Sequence, residues 1–173
     1  MTTVAQLRQA ALALPGTTEG TRVGKVAFTV RGTGFAAVTK DDVVQLHLVA
    51  EDVDAVLAAI PGAERLTRGD TLLGVRVPLA GMDGQQLNHW VRRAWSARAP
   101  RRLAAALAAA DTAEPGEVGD LPAAVGRPAT RALAGAGLTT LADVAARSDA
   151  ELLALHGVGP RAVRILREAS DTR

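Results

Sequence analysis

The sequence predicts an α+β chain in two parts: an antiparallel sheet sandwich with helices, followed by a small all-α domain. Three observations carry this reading. Between residues 25 and 49, apolar and polar side chains alternate with a period of two, as strands with one buried face require. From residue 152 onward the apolar spacing changes to the three-and-four rhythm of helices, broken only at Gly157-Val158-Gly159. Between these regions, residues 111–120 hold four acidic side chains, no basic one, a proline and two glycines, which predicts a flexible, solvated linker. The expected domains are therefore 1–110 and 121–173, joined by 111–120.

The elements of the first domain follow in order. Thr3 and Gln6 have capping-box spacing ahead of Leu7, Ala10, Ala11 and Leu14, and Pro15-Gly16 ends that helix. Val26, Phe28 and Val30 share one strand face, and Gly32-Thr33-Gly34 turns the chain into a strand over 35–39. Asp41-Asp42 marks the next turn, before Val44, Leu46 and Leu48 on one face of 43–49. A helix over 51–60 stops at Pro61-Gly62, a further strand covers 71–79, and Asp83 with Gln86 caps a helix over 83–95. Trp90 and Trp95, five apart, cannot both centre one helix face, so one is expected in the core and the other as a lid. Arg92, Arg93, Arg98, Arg101 and Arg102 form a dense basic stretch around Trp95. A solvated helix face accounts for it without a function; as a site it would meet phosphates or pair with an acidic protein surface, with Arg98, Arg101 and Arg102 as the candidates for DNA.

In the second domain, Ser148 and Glu151 open a helix over 149–155 with a capping box, and Pro160 suits the first position of the next helix. Ala162, Ile165, Leu166 and Ala169 make the apolar face of that helix, while Arg161, Arg164 and Arg167 project elsewhere. Gly157 can take a positive φ and Gly159 permits close approach of a ligand to the main chain, so the two allow a hairpin whose backbone N–H groups face outward at a helix N-terminus, which is a site for an anionic oxygen. The chain repeats itself here: 125–133 matches 158–166 in its Val-Gly start, its alanine, its second arginine and its last leucine, which adds Gly126, Arg127 and Arg131 to the candidates. Ala124 stands where Gly157 stands in the second copy. Thr140 and Asp143 start another short helix over 141–146.

Leu152, Leu155, Gly157-Val158-Gly159, Ala162 and Ile165 resemble the helix-hairpin-helix motif of DNA-binding proteins that lack sequence specificity. The paired copies also resemble the tandem helix-hairpin-helix domain and the C-terminal domain of the RNA polymerase alpha subunit. That resemblance implies that a hairpin turned at Gly157 grips the backbone of double-stranded DNA through the main-chain N–H groups of Val158, Gly159 and Arg161, with the Arg161 and Arg164 side chains adding charge. Over about the first 107 residues, Leu14-Pro15-Gly16-Thr17-Thr18-Glu19, Gly24-Lys25-Val26-Ala27-Phe28, Ile60-Pro61-Gly62-Ala63 and Ala94-Trp95-Ser96-Ala97-Arg98-Ala99-Pro100 resemble the MmcQ/YjbR family. Its fold is similar to the frataxin-like CyaY sandwich. The chain departs from that pattern at Leu73-Gly74, where relatives often carry an aromatic.

Composition narrows the remaining classes. Of 173 residues, 48% are hydrophobic and 22% charged, which is ordinary for a globular protein with a real core. Cysteine is absent, so disulfides and thiolate metal sites are excluded. The longest apolar run, 103–110, is too short to cross a bilayer, and no basic region followed by a long apolar stretch opens the chain; a cytoplasmic protein with no membrane partner is expected. The net charge of +2 hides an uneven distribution: 13 basic and 9 acidic residues in 1–110, none and 4 in 111–120, 7 and 5 in 121–173. His47, His89 and His156 lie in separate contexts, and no metal-ligand spacing, Walker loop or dinucleotide glycine pattern occurs, so no enzyme, metal or cofactor is expected. With four aromatics in the chain, backbone recognition of DNA fits better than base stacking. The rival expectation is a non-enzymatic adaptor that holds protein partners. The oligomeric state is left open.

Overall fold

The computed structural model describes residues 2–172. The chain divides into two compact units, Met1–Pro100 and Arg101–Arg173.

The first unit is a six-stranded antiparallel sheet with three helices. Helix α1 (Val4–Leu12) starts at the Thr3/Gln6 capping box and buries Leu7 and Ala11. Four strands follow, β1 (Thr17–Arg22), β2 (Lys25–Val30), β3 (Thr33–Val38) and β4 (Val43–His47), then helix α2 (Ala50–Ala59), strands β5 (Glu64–Arg68) and β6 (Thr71–Pro78), and helix α3 (Gly84–Arg98). The strand order is β1-β2-β3-β4-β6-β5, and every neighbouring pair is antiparallel. Register aligns Phe28, Ala36, Leu46 and Val75 across four strands, with Val26, Val38, Val44 and Val77 in the adjacent row. This is the packed face, and the period of two in the sequence is what produces it.

Helix α3 packs on β3, β4 and α1, and α2 packs on β5 and β6. Leu87, Trp90, Val91, Ala94 and Trp95 are all buried, so both tryptophans are core residues and neither is a lid. The spacing of five is accommodated because the buried stripe follows 87, 90, 91, 94 and 95, a band wide enough to carry one indole on each flank. Arg93 ties α3 to α2 through the buried carboxylate of Asp52, at 2.7 to 3.0 Å.

Two strands were not anticipated from the sequence. β1 and β5 are the two edges of the sheet, and their segments Thr17–Arg22 and Glu64–Arg68 are mostly exposed and polar. An edge strand shows little apolar alternation because little of it is covered, and polar side chains there discourage pairing with other chains. Gly74 on β6 is a position of close approach: a Cβ there would lie 1.8 Å from the Leu46 carbonyl oxygen. The β1–β2 hairpin turns at Val23-Gly24, where Val23 has φ 51° and is 92% exposed. A β-branched residue in that conformation is strained.

The second unit is all helical. It comprises α4 (Arg101–Thr112), a single 3-10 turn over Ala123–Val125, α5 (Arg127–Gly135), α6 (Leu141–Ala145), α7 (Asp149–Leu153) and α8 (Pro160–Asp171). Its core joins Leu121, Val125, Ala129, Leu133, Leu138, Leu141, Val144, Leu152, Val158, Ala162, Val163 and Leu166. The capping boxes at Thr140/Asp143 and Ser148/Glu151 form as the sequence indicates.

The division of the chain differs from the expected 1–110, 111–120 and 121–173. Residues 101–110 belong to the helical unit, because Leu107 and Ala110 of α4 pack against α5 at Gly135. Residues 113–120 are a strap on the same unit and not a free linker. Val118 packs on its core, Gly119 at φ +55° lies so close to Thr139 that a Cβ would meet its carbonyl oxygen at 1.9 Å, and Asp120 accepts the Leu141 N–H at 2.6 Å. Pro, Gly and acidic residues give the same composition to a solvated linker and to a strap whose polar groups cap helices, so composition could not separate them.

Candidate functional site

The internal repeat acquires a physical meaning in the helical unit. Val125 and Val158, Ala129 and Ala162, Thr130 and Val163, Leu133 and Leu166 are equivalent pairs, and all eight residues are buried. The repeat therefore encodes two helices, α5 and α8, that present the same face to one core. Their N-terminal ends meet at a groove of about 310 Å³ lined by Ala124, Val125, Gly126, Pro128, Ala129, Gly157, Gly159, Arg161 and Ala162.

Local geometry gives the two hairpin glycines different surroundings. Gly157 has φ +103°, and a Cβ on it would stand 2.9 Å from the Pro128 carbonyl oxygen and 3.6 Å from Ala132 Cβ, so it is the contact that lets the hairpin close on α5. Gly159, the N-cap of α8, has φ −101° and ψ 172°, and a Cβ there would meet no atom within 4 Å. Packing does not require a glycine at 159. Val158 is buried and its N–H donates to the Leu155 carbonyl at 3.0 Å, so that amide is occupied by the turn itself and is not open to a ligand. Among the described residues, the N–H groups of Gly159, Arg161 and Ala162 meet no protein acceptor, as expected for the first turn of a helix. In the first copy the left-handed residue is Gly126, at φ +82°, which follows the 3-10 turn containing Ala124. The two turns are thus not superposable copies, although the helices they introduce are equivalent in the core.

The basic candidates divide by what they touch. Arg161 is exposed, lines the groove and has no carboxylate partner among the described residues. Arg164 is exposed and, among the described residues, pairs with Glu168 alone, at 3.9 Å, one turn along the same helix. Arg167 is structural: it donates to Asp149 at 2.8 Å and to the carbonyls of Arg147 and Val144, fastening α8 to the end of α6 and the start of α7. Arg127 and Arg131 both meet Glu114, Arg127 at 2.9 Å and Arg131 at 3.4 Å. Arg98 belongs to the other unit and donates from Nη2 to His47 Nδ1 at 2.9 Å. Burial, and then the nearby Arg98 charge, lowers the His47 pKa and keeps its ring neutral to accept that bond. Arg101 and Arg102 are exposed in the first turn of α4, so the dense arginine stretch straddles the division between units.

Asp143 and Glu151 serve the backbone through their capping boxes. Hydrogen bonds from Thr140 pull the Asp143 pKa down, and hydrogen bonds from Ser148 do the same for Glu151. Among the described residues no group of three or more His, Asp or Glu side chains is placed to hold a metal ion, and no helix is long and apolar enough to cross a membrane. What the arrangement offers chemically is a set of open amide donors, two positive helix ends and an exposed guanidinium around one groove, a combination suited to an anionic oxygen. No protein-family model, curated protein or solved structure matches the chain.

Proposed function

We propose that the helical unit binds the phosphate backbone of double-stranded DNA with little sequence preference, through the groove between the N-termini of α5 and α8. The observation that carries this reading is Gly159. It caps α8 in a conformation open to any residue and with empty space where a side chain would stand, so its lack of a Cβ is best explained by the approach of a ligand to the main chain. The open N–H groups of Gly159, Arg161 and Ala162 supply directional donors, Arg161 adds charge at the groove, and Arg164 extends the charge along α8. Gly157 and Val158 support the site by shaping the hairpin, and the helix-hairpin-helix resemblance of 152–165 agrees with this use. The scarcity of aromatics argues for backbone contact over base contact.

The test is fluorescence anisotropy of the full chain with a labelled duplex of arbitrary sequence across a salt series. Binding that weakens by about 0.9 logarithmic units of affinity per logarithmic unit of salt for each phosphate contact is expected. Arg161→Ala should lower that slope by about one contact's worth. Absence of binding at low salt rejects the reading and favours a protein adaptor.

A further inference from the structure

The first copy of the repeat differs from the second in one respect that bears on how the site is used. On α8, Arg161 faces the groove and meets no carboxylate among the described residues; on α5, Arg127 and Arg131 are covered by one carboxylate. Glu114 Oε2 accepts from Arg127 Nε at 3.0 Å and lies 2.9 Å from its Nη2, while Oε1 accepts from Arg131 Nη2 at 3.4 Å. One anion thus bridges two guanidinium groups a turn apart on one helix. Arg127 stands between Gly126 and Pro128, both of which line the groove. Arg131 is the repeat equivalent of Arg164.

We infer that Arg127 and Arg131 form a second phosphate-binding site on the helical unit, and that Glu114 occupies it in the free protein as an internal substitute for a phosphate oxygen. The inference rests on the DNA-backbone reading above and adds to it a site with its own gate. A bridging anion between two arginines is the geometry that a phosphodiester would adopt there. Its present occupant is easily displaced, because the side chains of Glu114, Arg127 and Arg131 are 38%, 61% and 40% exposed, so no core contact opens when they part.

The strap fixes where the carboxylate waits. Its backbone is pinned by the Ala113 N–H to the Ala110 carbonyl, the Glu117 N–H to the Glu114 carbonyl, the Arg131 Nε to the Ala113 carbonyl, Val118 in the core and Asp120 on Leu141. Release therefore needs only a change of the Glu114 rotamer, a fast motion for an exposed side chain. Binding at this site exchanges one anion for another, so the free protein presents fewer available cations than its sequence contains.

The experiment is the same salt series with Glu114→Gln. Freed of competition, Arg127 and Arg131 should take up to two further phosphate contacts, steepening the salt slope by up to about 1.8 and tightening binding at the lowest salt at least several-fold. Adding Arg127→Ala and Arg131→Ala to Glu114→Gln should restore the wild-type slope. Wild-type slope and affinity in folded Glu114→Gln, with Gly159→Val and Arg161→Ala still weakening binding, would overturn the second site and leave the hairpin reading intact. A gain in Glu114→Gln that depends on Arg127, alongside binding indifferent to Gly159 and Arg161, would instead sink the hairpin reading and keep this one. If neither protein binds duplex at low salt, both fall. Should Glu114→Gln fail to fold, Glu114→Ala decides: a slope steeper by up to about 1.8 supports the site, and an unchanged slope refutes it.

Discussion

Gly157 and Gly159 are two residues apart in one hairpin, yet the structure gives substitutions at them opposite consequences. Gly159→Val places a side chain where no atom lies within 4 Å, on a backbone at φ −101° and ψ 172° that valine adopts readily. The fold loses only the difference between glycine and a poor N-cap residue, about 1 kcal/mol, and the melting temperature of the helical unit should drop by no more than about 8 °C. Binding should suffer far more. Isopropyl bulk over the amide donors of Gly159, Arg161 and Ala162 removes at least one hydrogen bond to a charged oxygen, about 1.5–3 kcal/mol, or roughly 10- to 100-fold in affinity. Because Arg161 remains, the salt slope should change little. Gly157→Ala reverses this pattern: φ +103° and a Cβ 2.9 Å from the Pro128 carbonyl force the hairpin away from α5 and should cost about 2 kcal/mol or more of stability. Circular dichroism melts and anisotropy titrations of the two variants decide the matter. Undiminished affinity in folded Gly159→Val would refute the argument that glycine is there for a ligand, and a wild-type melt for Gly157→Ala would refute its packing role.

Three further outcomes are expected. Val23→Asn puts a residue tolerant of φ 51° at the β1–β2 turn next to Gly24, and should stabilise the first unit by about 1 kcal/mol, seen as a melting temperature higher by about 4 °C or more. A fragment spanning 101–173 should unfold cooperatively, whereas 121–173 should lose about 3 kcal/mol or more, because it lacks α4, Val118 and the Asp120 cap; equal melting of the two would contradict the strap assignment. Since the folded pKa of His47 lies below its unfolded value, the histidine contributes stability that is fully present above about pH 6.5 and is lost as the pH falls toward the folded pKa. The first unit should accordingly melt lower at pH 5 than at pH 7.5, and His47→Gln should reduce that difference, with unchanged pH dependence as the refuting result.

Local patterns carried much of the architecture. The alternation at Val26, Phe28 and Val30, the run Val44, Leu46 and Leu48, and the capping pairs at Thr3, Asp83, Thr140 and Ser148 act within a few residues of chain, so each is legible in one dimension. The repeat of 125–133 in 158–166 is legible for the same reason, and it correctly marks α5 and α8 as equivalent core helices. Tertiary structure alone decided what those residues do for one another. β1 and β5 are strands because neighbours hydrogen-bond to them, not because their own polar side chains ask for burial. The acidic stretch is a strap because Gly119 finds Thr139 and Glu114 finds two arginines, contacts across 13 to 20 positions that composition does not encode. The sequence marks Gly157 as the residue for a positive φ and Gly159 as the one for close approach of a ligand, but it shows no packing partner for either. Only the carbonyl of Pro128, brought in from another helix, makes one a packing contact and leaves the other open, because a missing side chain acquires its meaning from what stands in the space it leaves.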